Sequence, residues 1–312
     1  MIEGFEVREA HVRSSAETVQ STPLQDVLAV ARDYITLTKP RIISLLLLTT
    51  VTTMFVADPA GPALSTILWT MLGGYLAAGG AGAINHFVDR ERDARMARTS
   101  SRPLVNGRIA PAHGLIFGIV LGTAAFFQLW LTVNLLAAAL AMVGLLGYVF
   151  LYTLWLKPIT PQNIVIGGSA GAVPPLVGWA AATGGLTPEA LWPFLIIFFW
   201  TPPHFWALSL MIKEDYERTG VPMLPVVKGD AETRRQILIY TVVMFLVTLG
   251  PFFTGLLGTL YLACALVLGG VFIALSVILY RDPDPARNLR TYLYSLAYLA
   301  LLFVAMAVDA VA

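Results

Sequence analysis

Long apolar stretches, almost free of Lys, Arg, Asp and Glu, alternate along this chain with short polar ones, and the pattern predicts membrane-spanning helices. Hydropathy and turn residues place them near 42–57, 64–86, 112–132, 134–156, 163–182, 188–212, 236–256, 259–280 and 290–311. Several approach or exceed the roughly 20 apolar residues that span about 30 Å of hydrocarbon, whereas membrane strands would read as short alternating segments. The expected fold class is all-α: a polytopic membrane protein of about nine transmembrane helices. Around 132–134 and 255–259 so little polar sequence intervenes that the flanking helices must form tight hairpins.

Composition agrees, with 57% hydrophobic and 12% charged residues among 312. The net charge of +1 gives no sign of a nucleic-acid partner, and none is expected. The position of the charges says more. With nine spans, all 20 Lys and Arg fall on one side: the N-terminal stretch, Arg90 to Arg108, Lys157, Lys213 to Arg235, and Arg281 to Arg290. Under the positive-inside bias that side is the cytoplasm, which puts the N-terminus inside and the C-terminus across the membrane. The other side carries only Asp58 and Glu189, with Asp309 near the C-terminus. Residues 1–36 are polar and rich in Glu, without the basic-then-apolar order of a signal peptide, and too acidic for a transit peptide. They are expected to be a cytoplasmic tail, amphipathic near Val27 to Ile35, preceding a transmembrane domain over 37–312 in a bacterial cytoplasmic (inner) membrane. The lone cysteine, Cys264, excludes an intramolecular disulfide. The two largest charged loops follow spans two and six, about 120 residues apart, which suggests two four-helix halves and a ninth helix.

The first of these loops begins on a helix. Asn85, Asp89 and Asp93 are spaced i, i+4 and i+8, so one helical face carries three oxygen-bearing side chains. Two carboxylates and an amide suit Mg²⁺, which takes hard oxygen ligands and commonly completes its shell with water and substrate phosphates. Arg92, Arg95, Arg98 and Arg102 follow as donors for the same anion. The competing reading is a solvated helix end laced with ion pairs, but Asn85 and His86 continue an apolar run toward the membrane, where polar groups face a cavity or the bundle interior.

The second loop opens with Lys213-Glu214-Asp215-Tyr216-Glu217-Arg218, another acidic patch with Lys213 as a point charge for phosphate. Below it, Trp200-Thr201-Pro202-Pro203-His204-Phe205-Trp206 sets an imidazole about 13 Å down the helix from Lys213. His204 is either a packed, hydrogen-bonded residue or a contact to bound substrate, axial ligation of a porphyrin iron included. A metal-bound diphosphate above a deep apolar interior suggests chemistry on an isoprenoid diphosphate, whose departure leaves an allylic carbocation. No Ser-His-Asp order, metalloprotease His pair or Gly-rich phosphate loop competes.

The motifs Asp33-Tyr34-Ile35-Thr36-Leu37-Thr38-Lys39-Pro40-Arg41-Ile42, Asn85 to Pro103, Gly171-Ala172-Val173-Pro174-Pro175, Thr201 to Leu208, and Lys213-Glu214-Asp215-Tyr216 with Gly220 to Pro225 together resemble the protohaem IX farnesyltransferases. These form a branch of the UbiA-type intramembrane prenyltransferases. The likeness runs in order over roughly 30–310. The Asn-x3-Asp-x3-Asp element marks only the wider group, while the Pro-Pro-His-Phe-Trp and Lys-Glu-Asp-Tyr elements point to the haem branch. The resemblance implies a UbiA-type bundle that moves a farnesyl group from farnesyl diphosphate to a vinyl group of haem B, with water added. It also implies that Asn85, Asp89 and Asp93 hold Mg²⁺ and diphosphate, that Arg98, Arg102, Lys157 and Lys213 bind the phosphates, and that Asp215 holds a second metal. His204 is the candidate haem contact. Membrane lipid surrounds the bundle, and a downstream haem-modifying enzyme is a candidate partner. The chain departs from the wider pattern at the second patch, where Asp215 is accompanied by glutamates instead of spaced aspartates. Two alternatives are a prenyltransferase acting on a quinone precursor and a secondary transporter.

Overall fold

The computed structural model describes residues 23–312, and side chains from residue 27 onward. Nine of its helices are long and apolar enough to cross a membrane. A shorter helix, α1 (Pro23–Thr38), leads into α2 (Pro40–Ala57), α3 (Leu64–Asp93), α4 (Pro111–Thr132), α5 (Leu135–Ile159), α6 (Asn163–Thr183) and α7 (Pro188–Met211). Two short helices, α8 (Lys213–Thr219) and α9 (Leu224–Val227), precede the spans α10 (Gly229–Phe253), α11 (Thr259–Arg281) and α12 (Pro285–Val311). The fold is all-α, and the nine spans fall where the apolar pattern puts them.

The differences lie at the charged ends. Helix α3 continues to Asp93, α10 begins at Gly229 and α12 at Pro285, each several residues beyond the apolar stretch. Hydropathy marks where hydrocarbon ends, whereas the backbone hydrogen bonds that define a helix continue into water. The expected tail boundary at residue 36 falls inside α1. The amphipathic segment is the middle of that helix, with Val27, Leu28, Val30 and Ile35 exposed while Leu37 is buried. The remainder of the tail, 1–22, lies outside the described residues.

Helices α3, α4, α5 and α6 pack in succession, α6 packs on α2, α7 on α10, α10 on α11 and α11 on α12, and α12 closes back on α7 and α2. Small residues bring α3 and α4 close together. A Cβ placed on Gly80 would lie 2.7 Å from the Gly118 carbonyl oxygen and 2.9 Å from the Gly122 nitrogen, so the two backbones touch. Such seams are how membrane helices associate when both apolar faces are equally at home in lipid. Large apolar side chains instead point outward, Leu131 and Phe253 among them. At the end remote from the Lys and Arg residues, the Asp309 carboxylate accepts from the backbone N–H of Gly258 and of Tyr261. Asp309 therefore caps the start of α11.

Candidate active site at the charged end of the bundle

Asn85, Asp89 and Asp93 are all buried on α3, and their partners come from α3 itself and from three other parts of the chain: α5, the loop after α3, and the junction of α1 and α2. Asn85 Nδ2 donates to Asp89 Oδ2 at 2.9 Å and to Thr153 Oγ1 at 3.2 Å. Asp89 Oδ2 also accepts from Lys157 Nζ at 2.5 Å, and its other oxygen from Arg92 at 3.2 Å. Asp93 accepts from Arg102 at 2.5 Å. The three side chains of α3 share one face, and Lys157 and Arg102 are brought to it as ion-pair partners. Arg98 is exposed and forms no ion pair among the described residues.

Sequence spacing assigns no role to Lys39. Its Nζ donates to Asn85 Oδ1 at 2.6 Å and lies 5.8 Å from the centre of the Tyr148 ring. Between α1 and α2 it adopts φ 59°, the one non-glycine residue in the left-handed region among those described. That conformation is costly for an L residue, and the following Pro40 restricts it further, so packing must hold it there. Burial, reinforced by the positive charges of Arg102 and Lys157, pulls its amine down from the ordinary lysine value to about 7. The quoted Thr-Lys-Pro-Arg motif was the available signal.

Residues Gly147–Leu156 of α5 form a π-helix. At 3.6 residues per turn, Tyr148 and Lys157 would stand on opposite faces, two and a half turns apart. In the wider i→i+5 turn, Thr153 donates back to the Tyr148 carbonyl at 2.8 Å and so stacks on it. Tyr148, Thr153 and Lys157 thereby share the face that meets Lys39, Asn85 and Asp89.

The second patch meets the first through its loops. Asp215, buried on α8, accepts from Arg218 at 2.8 Å and from the Ala97 backbone N–H at 3.3 Å. Met96 fastens the first loop by packing with Trp206, Tyr216 and Met223. The Tyr216 phenol is raised to about 12, chiefly by burial. Lys213 is placed differently from expectation. Its ammonium pairs with Asp230 at 3.0 Å and Glu217 at 3.6 Å on a half-exposed rim, and the Asp230 hydrogen bond raises its pKa. A helix break at Ile212 starts α8 afresh and turns Lys213 toward α10.

The donor chemistry fits a hard divalent cation. An amide and carboxylate oxygens converge in a buried space and are already matched by ammonium and guanidinium groups. Among the described residues, however, no three His, Cys, Asp or Glu side chains gather to hold a metal. Asn85, Asp89 and Asp93, expected to hold one ion, and Asp215, expected to hold a second, therefore offer too few protein ligands to enclose a cation by themselves, and a hard cation there would complete its shell with water or phosphate oxygens.

Beneath Lys39 lies an apolar cavity of about 220 Å³ among α2, α3, α5 and α6, reached by Ile43, Leu46, Leu47, Ala78, Leu145 and Val177. Lys39 and Tyr148 also line it, which puts the charged cluster at its mouth.

The UbiA prenyltransferase family model matches residues 46–305. The chain belongs to that family. It is 54% identical over 305 residues to protohaem IX farnesyltransferase from Roseiflexus sp. (strain RS-1), covering 98% of this chain and 57% of the relative. The chain thus spans little more than half the length of that relative. It is 50% identical to protohaem IX farnesyltransferase from Ectopseudomonas mendocina (strain ymp), covering 90% of this chain and 94% of the relative. A UbiA homologue from Archaeoglobus fulgidus, solved bound to DMAPP and Mg²⁺, shares the fold with a TM-score of 0.62 at 16% identity, over 88% of this chain and 99% of that one.

Within this UbiA bundle His204 stands apart from the cavity, between α7 and α12. Its ring stacks on Trp200 (centroids 4.3 Å apart) and on Tyr292 (4.9 Å), and Nδ1 lies 2.6 Å from Ser295 Oγ. It is hydrogen-bonded and packed, as one reading of the sequence expected. His86 is also buried, with neither ring nitrogen partnered by protein.

Proposed function

We propose that this chain transfers the farnesyl group of farnesyl diphosphate to a vinyl group of haem B with addition of water, giving haem O and diphosphate. The observation that carries the reading is Lys39, which lines the apolar cavity and bonds Asn85, so a diphosphate at the charged cluster would leave its prenyl chain in the cavity. The 54% and 50% identical relatives bear the name protohaem IX farnesyltransferase, which supports a farnesyl donor and a haem acceptor. Mg²⁺ is supported by the oxygen donors and by its presence with DMAPP in the Archaeoglobus homologue.

Asn85, Asp89 and Asp93 would hold the metal and Asp215 a second one, while Lys39, Lys157, Arg98 and Arg102 would bind phosphate oxygens. Mg²⁺, when bound, supplies a positive charge that stabilises the departing diphosphate. The lysines and arginines take up charge on the same leaving group as the C1–O bond breaks. The Tyr148 ring, at the cavity mouth, offers its face to the allylic cation. The vinyl carbon bonds to C1, the positive charge passes to the carbon beside the porphyrin ring, and water adds there with loss of a proton. The mostly apolar cavity walls would keep water from the first cation. His204 would contact the haem. The charged end would face the cytoplasm of a bacterial inner membrane, following the positive-inside bias.

The test is to incubate purified protein with haem B, farnesyl diphosphate and Mg²⁺ and weigh the porphyrin. A gain of one farnesyl group plus one hydroxyl is expected. Released diphosphate with unchanged haem would move the acceptor to another class, such as a quinone precursor. Absence of diphosphate release from folded protein would refute the reading.

A further inference from the structure

His204 lies in a hydrogen-bond chain whose direction can be worked out. Ser295 Oγ is 2.6 Å from the Tyr292 carbonyl oxygen and 2.6 Å from His204 Nδ1. A carbonyl only accepts, so the single hydroxyl proton of Ser295 goes to Tyr292. Toward the imidazole the same oxygen must then accept, and Nδ1 must carry the proton. A second fixture holds the serine backbone: Trp200 Nε1 donates to the Ser295 carbonyl at 2.8 Å. Trp200 is one of the two rings stacked on the imidazole, and Tyr292, whose carbonyl orients the hydroxyl, is the other. Ser295 is fully buried, so no solvent competes for its oxygen.

We propose that Ser295 is a positioning residue that fixes His204 as the Nδ1–H tautomer, leaving the Nε2 lone pair available to ligate the iron of the haem acceptor. A neutral imidazole has one protonated and one basic nitrogen, and which one can bind a metal is set by the hydrogen bond at the other. In water the opposite tautomer, Nε2–H, is preferred, and it would present a proton to the iron. The ligation half of this inference rests on haem being the acceptor. The tautomer half does not.

The two halves are tested separately. The first test is ¹⁵N NMR of histidine-labelled protein in detergent without haem, with His204 assigned by its disappearance in His204→Ala. A protonated Nδ1 and unprotonated Nε2 are expected. Ser295→Ala should shift the ring toward Nε2–H, and Ser295→Thr, which keeps the hydroxyl, should restore the wild-type pattern. An Nε2–H ring in the wild type overturns the proposal whether or not the serine variants fold.

The second test titrates ferric haem B and follows the Soret band and EPR spectrum. A histidine-ligated signature is expected in the wild type. It should be lost in His204→Ala, and Ser295→Ala should weaken haem binding by about ten- to hundredfold, the usual effect of removing a partner of a metal-bound histidine. A spectrum unchanged in His204→Ala overturns the ligation. Wild-type protein that binds haem with this signature yet makes no farnesylated porphyrin would instead count against the proposed reaction.

Discussion

Asp89 gives the sharpest separation between chemistry and stability. Its carboxylate is buried and accepts from Lys157, Arg92 and Asn85 at 2.5, 3.2 and 2.9 Å. Asp89→Asn keeps the shape and one acceptor oxygen but removes the negative charge beside Lys157. Deleting one partner of a buried ion pair costs about 3–5 kcal/mol when the other charge is left unmatched. Here the amide oxygen still accepts from Lys157, and a hydrogen bond to a charged group is worth roughly 1.5–3 kcal/mol, so the net loss should be about 2 kcal/mol. Turnover should fall far more, by about a thousandfold, because a proposed metal ligand and its charge would be lost together. Thermal unfolding in detergent measures the first quantity and porphyrin mass spectrometry the second. Lys157→Met in the same background removes the stranded ammonium, so the double variant should recover most of the stability and none of the activity. Mg²⁺-dependent diphosphate release within tenfold of wild type in Asp89→Asn, or recovered turnover in the double variant, would refute the reasoning.

Lys39→Gly should relieve the left-handed backbone and remove a buried ammonium, so the melting temperature should hold or rise while kcat/KM drops about a hundredfold; a parallel fall of both would make Lys39 structural. His86→Leu removes two buried nitrogens without partners and should stabilise the protein by about 1–2 kcal/mol, measured by thermal unfolding. A lower melting temperature would show that the ring is satisfied after all. Gly80→Ala would drive a methyl into the Gly118 carbonyl and should cost about 1–3 kcal/mol, while Gly270→Ala, with open space around its Cβ, should be silent. Equal effects would disprove the close α3–α4 contact.

The span pattern and the Asn85, Asp89, Asp93 face were legible because both rest on periodicity within a single helix. Lys157 and Arg102 were legible as charges, but their partners were not, since the bond from Lys157 to Asp89 joins residues 68 apart. The π-helix was invisible for a physical reason. Gly147–Leu156 is apolar on nearly every side, so no alternation of polar and apolar positions betrays a change of pitch. Lys39 was hidden by its left-handed backbone, which no side-chain pattern announces. Lys213 misled because its charge is right for phosphate, while its direction depends on the break at Ile212 and on the presence of Asp230 across the rim.

The internal ion pairs of the site carry a thermodynamic consequence. Asp89 is paired with Lys157 and Asp93 with Arg102, while Lys39 donates to the neutral amide of Asn85. A diphosphate arriving alone would draw the cations away and strand the carboxylates, and a divalent ion arriving alone would displace the ammonium groups and leave them with no anion. Only the two together exchange every internal partner for an external one without leaving a buried charge uncompensated. On the proposed function, the affinities of the site for metal and for diphosphate would therefore be coupled, each raising the other by the same factor. Such a site would take up the neutralised pair in preference to either ion alone.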